Sequence, residues 1–192
     1  MRTKNLRTVV FLELKGIDMK KVANFYKVSF DQFVKDWTST FDKPGDFMLR
    51  KEQTMKNTYC NIMLPKRGTV GSVGYDFVSP LQFTLEPGEE IVIPTGICAE
   101  IKNGWVLMIF PRSGLGFKYY SRLANSVGIV DSDYYLSENE GHIFLKIRND
   151  GEKTMTIQEG DKIVQGIFVH FGITFDDDAT EKRNGGFGST GR

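Results

Sequence analysis

Five short stretches of the chain combine residue types suited to chemistry on a phosphorylated compound. Asn125-Ser126-Val127-Gly128-Ile129-Val130-Asp131-Ser132-Asp133-Tyr134 sets two carboxylates around a serine, beside an aromatic ring. A carboxylate held near a phosphoryl group can orient and deprotonate water. The same composition also makes an ordinary turn. Pro111-Arg112-Ser113-Gly114-Leu115-Gly116 follows a strongly apolar run and offers a guanidinium, a hydroxyl and unencumbered amides to an anion. It too reads equally as a plain loop. The C-terminal Asn184-Gly185-Gly186-Phe187-Gly188-Ser189-Thr190-Gly191-Arg192 places glycines, two hydroxyls and nearby Arg183 together. Glycine amides can converge on a phosphate without a Cβ in the way. The stretch is not Gly-x-x-x-x-Gly-Lys-[Ser/Thr], so it is no NTPase P-loop. Its bland reading is a terminus with no fixed fold. Gly71-Ser72-Val73-Gly74-Tyr75-Asp76 brings a tight bend and a carboxylate, for a metal or for a turn. Gly160-Asp161-Lys162-Ile163-Val164-Gln165-Gly166 buries an amide in an apolar strand, where it needs partners.

The elements that must position these residues are mostly strands. From about residue 58, short apolar runs recur between turn signals: Leu81–Leu85, Ile91–Ile93, Ile97–Ile101, Trp105–Phe110, Thr154–Ile157 and Ile163–Phe171. Asn103-Gly104 is a hairpin signal. Ile143, Leu145 and Ile147 alternate with His142, Lys146 and Arg148, the period of a half-buried strand. This spacing predicts an all-β sandwich, jelly roll or barrel. Residues 1–14 read as a strand. Residues 15–57 read as helical and then irregular: Asp18 caps a short helix through Lys20, Val22 and Phe25, Ser29-Phe30-Asp31-Gln32 has the form of a capping box, and Lys43-Pro44-Gly45-Asp46 is a breaker cluster. Phe30, Phe33, Val34 and Trp37 then fall at helical spacing.

Composition narrows the function. The chain has 192 residues and 25 Lys+Arg against 24 Asp+Glu, a net charge of +1. No basic field exists to hold a duplex, and no direct nucleic-acid binding is expected. Two cysteines, Cys60 and Cys98, form neither a disulfide framework nor a zinc spacing. No apolar run approaches membrane-spanning length. The expected location is the cytoplasm.

The order and spacing of the five stretches resemble those of the homotrimeric dUTPases, the dUTP diphosphatases, across residues 58–192. The terminal Gly-Gly-Phe-Gly-Ser-Thr-Gly is the most specific match, and the texture is nearest to members from Gram-positive bacteria and their phages. The resemblance implies an all-β, jelly-roll-like barrel assembled as a homotrimer. Its core would be residues 1–14 and 58–175, with a helical insertion at 15–57. An arm at 176–192 would close a neighbouring active site. It implies hydrolysis of dUTP to dUMP and pyrophosphate by water attack on the α-phosphorus, assisted by Mg2+. Asp131 would be the general base, and Asp76 would face the metal through water. Arg112, Ser113, Gly114 and Gln165 would hold the phosphate chain. Asn125 and Gly128 would read the uracil edge, and Tyr134 would lie under the deoxyribose. From the arm, Phe187 and Gly188 would cover the base, and Arg183, Ser189 and Thr190 would hold the far phosphate.

Three departures accompany the match. Residues 15–57 intervene after the first strand. The segment Leu136-Ser137-Glu138-Asn139-Glu140 lengthens the turn after Tyr134. The arm's Arg183 stands four residues before Phe187 instead of five, which opens the alternative of Lys182 at the far phosphate. The insertion has two readings: aromatics packed onto the barrel, or a docking surface for a protein partner, as in a regulatory binding protein. A dCTP deaminase of the same fold is the alternative enzyme. The Asp131–Tyr134 run and the glycine-rich arm argue against it.

Overall fold

The computed structural model describes residues 19–41, 48–181, 183 and 185. The strand expected at residues 1–14 lies outside them, as do Lys182, Phe187, Gly188, Ser189 and Thr190.

Strand β1 (Ala23–Lys27) leads into helices α1 (Phe30–Phe41) and α2 (Met48–Asn61). Short strands follow: β2 (Lys66–Arg67), β3 (Tyr75–Val78), β4 (Phe83–Leu85), β5 (Glu90–Pro94), β6 (Ile97–Ile101) and β7 (Trp105–Pro111). After helix α3 (Ser113–Tyr119) come β8 (Ser121–Leu123) and β9 (Gly128–Val130), then a 3₁₀ helix (Ser132–Leu136). The last strands are β10 (Phe144–Asn149), β11 (Met155–Ile157) and β12 (Lys162–His170). The largest sheet runs β2-β3-β12-β7-β9. The others are β5-β10-β8, β1-β6 and β11-β4, and all the pairings are antiparallel. Consecutive strands mostly enter different sheets, the wiring of a jelly roll. The core between them is aliphatic, with Ile93, Leu107, Ile109, Ile143 and Met155 all at 1% exposure or less.

Three local expectations are corrected. The stretch expected to turn irregular after the breaker cluster carries helix α2, which runs on to Asn61. The segment expected as a short helix through Phe25 is strand β1. It pairs with β6 (Phe25 opposite Ala99), and its exposure alternates with period two. Phe25 is drawn into the barrel by rings of Tyr75, Phe77 and Phe168, all within 5.6 Å between centroids. Pairing with β6, which has no other strand partner among the described residues, outweighed a weak helical pattern. At Asn103-Gly104 the turn forms, with Trp105 N–H donating to Lys102 O at 3.1 Å and Gly104 at φ +82°. Yet β6 and β7 do not pair. The turn joins strands of different sheets, because each finds its ladder elsewhere.

Helix α1 begins at Ser29, whose Oγ accepts from Gln32 N–H at 3.1 Å. The reciprocal half of the capping box is absent: the Gln32 amide donates to Asp36 at 2.8 Å. Glu140, from the lengthened turn, takes over. Its carboxylate accepts from Ser29 N–H at 2.6 Å and Ser29 Oγ at 2.7 Å. A carboxylate at a helix N-terminus also meets the positive end of the helix dipole.

His142 departs from its period-two reading. It precedes β10 and is fully buried, whereas Lys146 stays at the surface. Both ring nitrogens are engaged. Nε2 accepts from Gly96 N–H at 2.7 Å, so Nδ1 carries the proton and donates to Asp36 Oδ2 at 2.6 Å. Gly96 stands at φ +71°, and a Cβ there would lie 2.2 Å from Ile62 Cδ1, so glycine is required. Burial pushes the His142 pKa below its ordinary 6.5, against the opposing pull of Asp36 and Glu140. The folded chain therefore binds this proton less readily than the unfolded one. Stability is complete above the ordinary imidazole range and is lost as pH falls below it. The melting temperature of the native protein is expected to drop between about pH 7.5 and about pH 5, and His142→Gln to flatten that slope. Parallel slopes would contradict the assignment.

Candidate active site

The expected site residues fall into two groups. The first gathers where β3, β12 and the end of β7 meet. Gln165 lies opposite Asp76 on one side and Phe110 on the other. Its amide donates to Pro111 O at 3.3 Å. Gln165 Oε1 lies 2.7 Å from where a Cβ on residue 74 would stand, so Gly74 makes room for it. Asp76 is mostly buried and bridges two cations: Arg112 Nε at 3.3 Å and Lys162 Nζ at 2.8 Å. Arg112 caps α3 with its backbone alone, and Ser113 and Gly114 form the first turn, whose N–H groups have no intrahelical acceptor. Arg112, Gly114 and Lys162 line a cavity of about 590 Å3. Sequence reading passed over Lys162. Its signal was its place in the Gly160–Gln165 stretch.

The second group follows β9. Asn125, Gly128 and Val130 line a largely apolar cavity of about 540 Å3, shared with Asp36 and Asn139. Asp131 comes next along the chain, half exposed at the start of the 3₁₀ helix. Tyr134 is buried at 4% exposure. Its hydroxyl donates to His142 O at 2.7 Å and accepts from Asn139 Nδ2 at 2.9 Å. Burial raises its pKa, which keeps the phenol neutral and a donor. Arg183 closes this group from the tail. Its Nη1 stands 2.8 Å from Asp131 and 3.5 Å from Asp133, and its guanidinium lies over the Tyr134 ring, 5.1 Å from the centroid. β12 ends at His170, opposite Trp105, at the same end of the sheet as the turn into Asp131, which leaves the tail within reach of it. Asp36, Asn139 and His142 were not found from sequence. Asp36 reads as an ordinary helical carboxylate, and nothing local marks its long-range partner.

The two groups are far apart in one chain. Val130 pairs with Leu107, and Gly128 with Ile109, so Asp131 lies toward the start of β7, whereas Pro111 ends it. Asp76 lies three strands across and about four residues along from Asp131. At roughly 4.8 Å per strand and 3.3 Å per residue, that is about 20 Å.

Among the described residues, no cluster of three or more His, Cys, Asp or Glu could cage a metal. No described helix is long and apolar enough to cross a membrane. Cys60 and Cys98 are free thiols, and burial pushes Cys98 up to about 11.

The all-β barrel thus carries one residue group suited to an anion and a second built on a carboxylate and a tyrosine. The dUTPase family model matches residues 60–191. The deoxyuridine 5'-triphosphate nucleotidohydrolase of Lactococcus lactis is 41% identical over 143 residues, 73% of this chain and 95% of that protein. Among solved structures, the dUTPase of Streptococcus mutans is 38% identical with a TM-score of 0.52, covering 57% of this chain and 87% of that one. A point mutant of the dUTPase of Staphylococcus aureus phage phi11, reported with a structural Mg(II) ion, shares the fold at 24% identity and a TM-score of 0.53. That match covers 63% of this chain and 92% of that one. The chain belongs to the dUTPase family.

Proposed function

We propose that this protein, a dUTP diphosphatase by family, hydrolyses dUTP to dUMP and pyrophosphate in the cytoplasm. That reaction keeps uracil out of DNA and supplies dUMP for dTMP synthesis. The observation that carries the reading is the second residue group: a cavity edged by Asn125 and Gly128 leads, through Val130, to a half-exposed carboxylate and a fixed tyrosine. Uracil enters the cavity, where Asn125 and the backbone at Gly128 pair with its edge. A site that hydrogen-bonds a base edge discriminates steeply, because a wrong base leaves buried polar groups unpaired. The Tyr134 ring lies under the deoxyribose and leaves no room for a 2′-hydroxyl. Asp131 takes a proton from water. The water oxygen bonds to the α-phosphorus as the bond to the bridging oxygen breaks, and pyrophosphate departs with that oxygen.

Arg112, Ser113, Gly114 and Gln165 hold the phosphate chain. Because they stand roughly 16–20 Å from Asp131 in one chain, the site is assembled between copies, which supports an oligomer; the family resemblance makes that oligomer a homotrimer. The arm, residues 176–192, closes a neighbouring site. There Phe187 and Gly188 cover the base, while Arg183, Ser189 and Thr190 hold the far phosphate. Within the chain Arg183 meets its own Asp131, so closing a neighbouring site requires the arm to release that pair.

Magnesium fits as an ion borne by the substrate. Mg2+ keeps its waters and uses one or two carboxylates with phosphate oxygens. Asp76, already flanked by two cations, suits contact through water and not direct ligation. When bound, the ion offsets charge on the triphosphate.

The aromatics of the insertion support a packing role: Phe33 is fully buried, and Phe25 and Trp37 pack half-buried on the core. A docking role for residues 15–57 would rest on what remains outside, such as Tyr26 at 41% exposure.

The test is pyrophosphate release with Mg2+ from dUTP beside UTP, dTTP and dCTP. Release from dUTP alone is expected. A folded protein that binds dUTP without releasing pyrophosphate would overturn the reading, and ammonia release from dCTP would replace it with a deaminase.

A further inference from the structure

The insertion and the lengthened turn meet in space, although each is a separate departure from the family pattern. One contact comes from the turn itself and two from the residues that flank it. Glu140 clamps Ser29 at the start of α1 through two hydrogen bonds. The Tyr26 and Tyr135 rings lie 6.2 Å apart. Asp36, buried on α1, accepts the Nδ1 hydrogen bond of His142.

We propose that Asp36 and His142 are positioning residues for sugar discrimination: α1, through the His142 ring, fixes the outer end of the Tyr134 ring. This rests on the assignment of Tyr134 to the sugar. The path is short and continuous. The Tyr134 hydroxyl is anchored on the His142 carbonyl, so the outer end of the ring cannot swing unless that carbonyl moves. The carbonyl is held because its own side chain is pinned at both nitrogens, by Gly96 on the β5–β6 connection and by Asp36 on α1. Asp36 is itself held by Gln32 one turn earlier. Asn139 closes the loop by donating to the Tyr134 hydroxyl. A longer turn has more conformational freedom to lose, and the insertion supplies the contacts that remove it. Asp36 reaches the lining of the base cavity, but dUTP and UTP carry the same base, so a change in the ratio between them reports the sugar. Rejecting a single hydroxyl by sterics demands that the ring be held still, and small misplacements of a positioning group cost disproportionately.

The test compares Asp36→Ala and Asp36→Asn with the native protein. The readouts are kcat and KM for dUTP and UTP, together with oligomeric state and melting temperature. Asp36→Ala is expected to lose dUTP-over-UTP preference on the order of tenfold or more. Asp36→Asn keeps an acceptor for the imidazole N–H and is expected to retain most of the preference. An Asp36→Ala protein with native preference would overturn the proposal, as would equal losses in both variants that track only their melting temperatures. Nitrogen-15 spectra of the native imidazoles provide a check that needs no variant. The Nδ1–H tautomer of His142 is expected at neutral pH, and the Nε2–H tautomer would overturn the brace. Failure of the native protein to release pyrophosphate from dUTP would count against the proposed function, while the spectra would still judge the brace.

Discussion

Asp131→Asn is expected to lower kcat for dUTP by roughly 10²–10⁴-fold, the usual contribution of a positioned general base. The amide matches the carboxylate in size but cannot accept the proton of the attacking water. The fold should not suffer, because Asp131 is half exposed and its ion pair with Arg183 lies at the surface on the Asp131 side. Exposed pairs of this kind contribute about 0–1 kcal/mol. Pyrophosphate release should therefore collapse while the melting temperature and the affinity for a non-hydrolysable dUTP analogue stay near native. A variant that keeps a tenth or more of native kcat would remove Asp131 from the role of base. Loss of analogue binding in step with kcat would make it a binding residue.

The second large effect concerns assembly. Arg112→Ala and Asp131→Asn should each be nearly inactive alone. Mixed by refolding together in equal amounts, they should recover roughly a quarter of native activity. The figure follows from a site that draws its base from one copy and its phosphate-holding group from another. Each of the two chains that build such a site carries the intact residue half the time. The structural reason is the register of β7. Its Leu107 end faces the strand that leads to Asp131, and its Pro111 end faces Gln165 and runs on to Arg112. A side chain does not bridge the resulting gap of about 20 Å. If one chain held the whole site, every chain in the mixture would carry a defect, and no activity would return. Activity after mixing thus reports the sharing of sites, apart from any measurement of oligomer size.

Much of this protein was legible in its residues alone, because the signals are local. Alternating Ile143, Leu145 and Ile147 mark a strand with one face in the core, and the structure buries all three. Gly88, Gly104 and Gly160 each take positive φ at the turns their neighbours announce. The ordered motifs single out Asp131, Tyr134, Arg112 and Gln165 as site candidates without any knowledge of contacts, since such motifs are written in consecutive residues.

The long-range pairings had to wait for the folded chain. Phe25 is in a strand because β6 offered an edge, not because of its neighbours in sequence. Gln32 looked like the second half of a capping box, but Glu140 arrives from 111 residues away to take that place. His142 looked solvent-facing by period, but lies buried between Asp36 and Gly96, 106 and 46 residues distant. A buried polar group must find a partner, but nothing in its local sequence says which. Chain order likewise gives no distance between Asp76 and Asp131. That depends on which strands pair and in what register, and it is the three-dimensional ladder that sets them three strands and about four residues apart.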